Sequence, residues 1–335
     1  MTMLVAADDE RLSWHGVVSV ERGGGWVMPW RLPHDQRRLF PAELLERAGM
    51  PSGARLAFRT TSTTVVGHVE PVAEMSRVDI CCDGEYVASA PLDGQEKFRF
   101  SSLPPREKSV EVWLPMFGHF RLKALELSDG ASLAPFEDNR PRWVTYGSSI
   151  TQCRGAASPT RTWPAIAARG AGLNLTSLGF GGQCHLDPMV ARVMRDLPAD
   201  FISLCVGINI YGAASLSPRS FRPAIIGFVQ TIRDRHPSVP LVLMSPIVSP
   251  PREDAPNPVG FTLKAMREEV AMAVEDLRAS GDANVHYVNG LDILGPDHAH
   301  LLPDDVHPNA EGYELMGRNF LEKVVRRFFV PEPET

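Results

Sequence analysis

Phe201-Ile202-Ser203-Leu204-Cys205-Val206 is a nearly unbroken apolar run. A strand of this kind has no polar face to turn to water. It must be covered on both sides, as in a parallel sheet flanked by helices. The surrounding sequence follows the same plan. Strands are predicted at residues 143–146, 173–178, 241–244 and 285–288. Helices are predicted between them at 162–171, 188–196, 261–279 and 309–328, with Gly281 ending the third. A further helix starts at Ser217-Pro218, a good N-cap and first-turn pair, and runs to about residue 235. Five strands with intervening helices predict a doubly wound α/β sheet, with its active site beyond the carboxyl ends of the strands.

The first 135 residues read differently. Short alternating runs stand at 17–20, 55–59, 78–81, 97–100, 110–114 and 120–125, separated by turn residues. Asp83-Gly84, between 78–81 and a run at 85–88, is a hairpin signal. Many short strands with regular turns predict a β-sandwich or jelly roll, here with one short helix at 40–50. Polar Glu137-Asp138-Asn139-Arg140-Pro141 reads as a linker, dividing the chain into domains at 1–135 and 142–330.

Composition narrows the function. The net charge of −6 and the absence of a dense basic run argue against nucleic acid. The five cysteines are odd in number and form no C-x-x-C pair, so neither a disulfide framework nor a zinc site is expected. No apolar run reaches membrane-spanning length. The first ten residues lack a basic leader region, so the expected location is the cytoplasm.

Four motifs stand at or after the ends of these strands. Tyr146-Gly147-Ser148-Ser149-Ile150-Thr151 offers Ser149 as a nucleophile. A serine hydroxyl needs a base within hydrogen-bond reach, and Asp304-Asp305-Val306-His307-Pro308 supplies one in His307, with Asp304 to orient its ring. Asp305 is the rival orienter, although its side chain turns less readily toward the same ring. Gly179-Phe180-Gly181-Gly182 and Gly207-Ile208-Asn209 offer Gly182 and Asn209 as oxyanion donors beside the Ser149 amide. Each motif has a plain reading too: serines cap turns, glycine and asparagine follow strands, and a histidine before a helix is often merely exposed. Their joint order is the specific signal. His185, His298 and His300 read as surface or cleft-wall residues. Residues 146–151 are not the G-x-S-x-G elbow, because Thr151 stands at the second glycine. No G-x-G-x-x-G follows the first strand, which removes a dinucleotide-binding oxidoreductase.

Residues 142–327 resemble the SGNH hydrolases, or GDSL-type esterases. Ser149, Gly182, Asn209, and Asp304 with His307 match that family's four blocks. Ser148 stands where many members carry Asp, as in a subgroup with Gly-Ser-Ser-Ile-Thr, and Ile210 stands where many have Asp. The N-terminal region, with Trp113-Leu114-Pro115, resembles the jelly-roll domain of that subgroup. The resemblance implies a flavodoxin-like fold and a cofactor-free serine esterase acting on short acyl esters of a small molecule or glycoside. The alternatives are an acyltransferase using an alcohol of a natural-product scaffold, or a carbohydrate-binding protein with an inactive esterase domain. The expected partner is a small-molecule ester, joined in the transfer case by an alcohol acceptor. The Pro-rich stretch at 245–253 reads either as one cleft wall or as a rigid connector without substrate contact, and the β domain is expected to contribute another wall.

Overall fold

The computed structural model describes residues 2–329. Met1 and Val330, the outer ends of the two-domain division, lie outside the described residues. By contacts the chain divides into two compact units. One holds the residues up to Arg140 with Ala157–Thr160 and Asn174–Ser177. The other holds Pro141–Ala156, Arg161–Leu173 and the residues from Leu178 onward.

The first unit is built on β1 (Thr2–Ala6), β2 (Ser13–His15), β3 (Ser19–Gly23), β4 (Trp26–Trp30), helix α1 (Ala42–Ala48), β5 (Arg55–Thr60), β6 (Val65–Val69), β7 (Val78–Cys82), β8 (Glu85–Ala90), β9 (Lys97–Phe100), β10 (Lys108–Trp113), β11 (Leu122–Ser128) and β12 (Leu133–Ala134). They form two antiparallel sheets. One has the order β3-β4-β11-β6-β9 with β1 on β11, the other β12-β5-β10-β7-β8 with β2 on β5. Alternate residues such as Leu56, Phe58, Val110 and Val112 from one sheet and Val65, Leu125 and Leu127 from the other fill a shared core. Asp83 and Gly84 both take positive φ, +50° and +81°, as a tight hairpin between β7 and β8 requires.

Strands β1, β2, β4, β6 and β12 carry no clear alternation and were not expected from the sequence. In β6 the reason is visible. A Cβ on Gly67 would lie 2.1 Å from the Phe98 ring, so the strand gives up a side chain to seat that ring. The stretch 137–141 holds the division between the two units, after Arg140, but its charges are not all solvated. Asp138 has a fully buried side chain, 2.5 Å from Arg140, and Arg140 reaches buried Glu111 at 2.6 Å. A charged stretch looks solvated until its distant partner is known.

From residue 141 on, the chain forms β13 (Arg142–Gly147), α2 (Ser149–Gln152), α3 (Trp163–Gly170), β14 (Asn174–Gly179), α4 (Pro188–Asp196), β15 (Phe201–Cys205), α5 (Ile208–Ala213), α6 (Pro218–Arg233), β16 (Leu241–Met244), α7 (Leu263–Ala279), β17 (Val285–Val288), α8 (Gly290–Ile293) and α9 (Ala310–Phe320). Wider π turns continue α9 over Leu321–Phe329. The sheet order is β14-β13-β15-β16-β17, and the pairings β13–β15, β15–β16 and β16–β17 are parallel. This is the doubly wound flavodoxin-like order, whose direction of winding reverses between β13 and β15. The residues of β16 and the centre of β15 are buried, which is why 201–206 carries so little polar sequence. Trp143 of β13 lies 6.0 Å from Trp163 of α3 and stacks at 5.4 Å on Phe320 of α9, tying both helices to one face of the sheet. Among the described residues no helix is long and apolar enough to cross a membrane.

Candidate active site

The switch between β13 and β15 opens the crevice where such sheets bind ligands. Ser149 stands there as the first residue of α2, directly after β13. Ser148 performs the capping, its side chain accepting from the Ile150 N–H at 3.2 Å. That leaves the Ser149 hydroxyl uncommitted to the backbone, and its Oγ lies 2.7 Å from His307 Nε2. His307 Nδ1 lies 2.6 Å from Asp304 Oδ2. An ionised carboxylate only accepts, so Nδ1 carries the ring proton and Nε2 is the acceptor for the serine hydroxyl.

The Asp304 carboxylate is held twice. Its other oxygen accepts the backbone N–H groups of His307 at 2.7 Å and Val306 at 3.1 Å. Burial raises its pKa. The His307 ring and these two amides outweigh that and lower it to about 2. Asp305 is excluded as the orienter. It occupies the left-handed region at φ +62°, is exposed, and turns its carbonyl toward Ser249. The Asp-x-x-His turn does not directly follow β17, because α8 and the turn Pro296–Leu301 intervene.

Gly182 is exposed, with φ +73° and open space where a Cβ would stand. Its neighbour Gly181 donates to Gln152 Oε1 at 2.8 Å, and Phe180 donates to the Gly147 carbonyl at 2.8 Å. The turn after β14 is thereby stapled to the turn that carries the nucleophile. A Cβ on Gly179 would lie 2.4 Å from the Gln152 nitrogen, so this close approach needs glycine. Asn209 lies in the first turn of α5, after β15. Its Oδ1 accepts the Cys184 N–H at 3.0 Å, which fixes the amide and leaves its NH2 edge as a donor. Gln152 and the Cys184 amide were not singled out in the sequence. Their only signal is proximity to the motifs.

His185 is half-buried and bridges Ser215 Oγ at 2.8 Å and the Gly182 carbonyl at 3.0 Å. His298 and His300 lie on a short turn, their rings 6.4 Å apart, and no cluster of metal-binding side chains occurs among the described residues. All five cysteines are free. Burial pushes the Cys184 thiol up to about 12 and raises those of Cys153 and Cys205, so these sulfurs stay protonated and are poor nucleophiles.

The family model of GDSL-like lipases and acylhydrolases matches residues 145–315, and the model of the SsfX3 N-terminal domain matches residues 12–123. The chain belongs to the GDSL-like lipase/acylhydrolase family. Among solved structures, the salicylyl-acyltransferase SsfX3 from a tetracycline biosynthetic pathway is 38% identical, with a TM-score of 0.89, over 98% of this chain and 96% of that one. A Bacteroides ovatus protein described as a GDSL-like lipase shares the fold at 23% identity and a TM-score of 0.78, over 97% of this chain and 98% of that one. A family two carbohydrate esterase from Cellvibrio japonicus shares it at 15% and 0.66, over 98% and 99%. The comparison with curated proteins returns no match. This family member is therefore a serine enzyme of the acyl hydrolase and acyltransferase class, with an SGNH-type α/β domain after a β-rich domain.

Proposed function

We propose that this chain moves an acyl group from an ester onto an alcohol of a small molecule, through an acyl-enzyme on Ser149. The observation that carries the chemistry is the continuous relay from Ser149 Oγ to His307 Nε2 and from His307 Nδ1 to Asp304. In the proposed cycle His307 takes the hydroxyl proton as Oγ attacks the carbonyl carbon. The Ser149 and Gly182 amides and the Asn209 side chain hold the oxyanion. His307 then gives its proton to the leaving group as the carbonyl re-forms. The acceptor hydroxyl repeats the sequence in reverse, losing its proton to His307 as it attacks the acyl-enzyme. Asp304 holds the ring orientation and the imidazolium charge throughout.

The likeness to an acyltransferase over nearly the whole of both chains favours an alcohol acceptor. Hydrolysis of a short-acyl ester is the second reading, and the same residues serve it.

The test is a panel of esters of increasing acyl length, each with and without added alcohols, tracking free acid and new ester. Transfer predicts new ester formed in preference to free acid with at least one acceptor class. Free acid alone with every acceptor would remove the transfer reading and leave hydrolysis.

A further inference from the structure

The Pro-rich loop after β16 carries polar groups that the proposed chemistry does not use. Ser249 is 2% exposed, and its Oγ donates to the carbonyl of Asp305 at 2.6 Å. Arg252 Nη1 donates to Ser249 Oγ at 3.0 Å and approaches the same carbonyl at 3.4 Å. The Ser249 N–H donates to Glu253 Oε1 at 2.9 Å. Glu253 in turn accepts Arg267 Nη1 at 2.6 Å and Nη2 at 2.7 Å, a bidentate pair. Arg267, 6% exposed on α7, also donates to the Pro246 and Ile247 carbonyls at 2.8 and 3.1 Å. The loop is thus locked to α7 from behind and grips the Asp-x-x-His turn in front.

The gripped residue has an unusual backbone. Asp305 sits between Asp304 and His307 at φ +62°, a region that L side chains disfavour. Besides the Asp305 N–H bond to the Leu302 carbonyl and the Asp304 carboxylate bonds to the Val306 and His307 amides, its carbonyl is a further point at which the turn is held. Nothing in the side chain of Asp305 requires the conformation, whereas the side chains on either side of it form the relay with Ser149.

We propose that Ser249, fixed by the Glu253–Arg267 pair, is a positioning residue that holds the Asp305 carbonyl and so aims the His307 ring at Ser149. The proposal rests on the acyl-enzyme reading. It explains why a partly buried ion pair sits behind this loop. It also gives the Pro-rich loop a role other than contact with substrate.

The test compares Ser249→Ala, Ser249→Thr and the double variant Ser249→Ala with Asp305→Gly. Each is measured by kcat, KM and the rate of Ser149 labelling by a small fluorophosphonate. Ser249→Ala should lower kcat and the labelling rate together, on the order of 10-fold to 100-fold, while KM stays within about two-fold. Threonine keeps the hydroxyl and should restore most of the rate. Glycine at 305 adopts positive φ readily and should recover part of it without the hydroxyl. Arg252→Ala, at a half-buried position, should lower kcat by a smaller factor of about two to five, which keeps the test decisive if Ser249→Ala folds poorly. Unchanged kcat in Ser249→Ala or, if that variant does not fold, in Arg252→Ala overturns the proposal. So does a loss that neither threonine nor glycine recovers. Failure of the acyl-enzyme reading looks different: the wild-type enzyme would then resist the label.

Discussion

At the scale of single residues, the assignment turns on a division of labour between two adjacent serines. Ser148 satisfies the backbone of α2, which leaves Ser149 Oγ free to meet His307. Ser149→Ala and His307→Ala should each abolish turnover in an ester assay, and normal rates in either would refute the roles. Asn209→Ala should cost about 10²–10³ in kcat, as loss of one oxyanion donor does elsewhere, and a loss confined to KM would contradict this. Asp304→Asn keeps the size but presents an amide to Nδ1. It should lower kcat by about 10³–10⁴, judged from the equivalent change in other triads. The wild-type carboxylate titrates at about 2, below its ordinary value of 3.8. Its contribution to stability is therefore complete above pH 3.8 and is lost as pH falls toward 2. Loss of activity between pH 5 and 7 cannot come from this group. In a pH–rate profile, an acid limb that Asp304→Asn moves upward within that range would contradict the assignment.

At the scale of elements, legibility followed distance along the chain. The strands of the α/β half were readable because burial on both faces leaves apolar runs, as in β15 and β16. The Asp83-Gly84 hairpin was readable because positive φ selects its residues locally. Strand β6 was not, since Gly67 answers to Phe98 across the sheet. The charges at 137–141 lie where the units divide, but their burial was not legible for the same reason, their partner Glu111 being remote. The motifs told where chemical groups stand but not what holds them. Gln152 Oε1 on the Gly181 amide and Ser249 on Asp305 are contacts over 29 and 56 positions. The aromatic contact of β13 with α3 and α9 makes a further prediction. Phe320 is fully buried against Trp143 and Trp163, so Phe320→Ala should destabilise by about 3–5 kcal/mol in denaturant unfolding. A cost below about 1 kcal/mol would mean that this cluster does not carry α9.

At the scale of the whole molecule, the two units are each matched by a family model, and the SsfX3 likeness extends through both. The α/β unit contains every residue of the proposed relay and oxyanion site. The central claim is that a single serine carries the acyl group. It is tested most directly by intact-mass measurement after brief exposure to a fluorophosphonate or an activated ester. One adduct is expected on the wild-type chain, located at Ser149 by peptide mapping, with none on Ser149→Ala and much slower formation on His307→Ala. An adduct of equal yield on Ser149→Ala, or turnover with no adduct at Ser149, would contradict it.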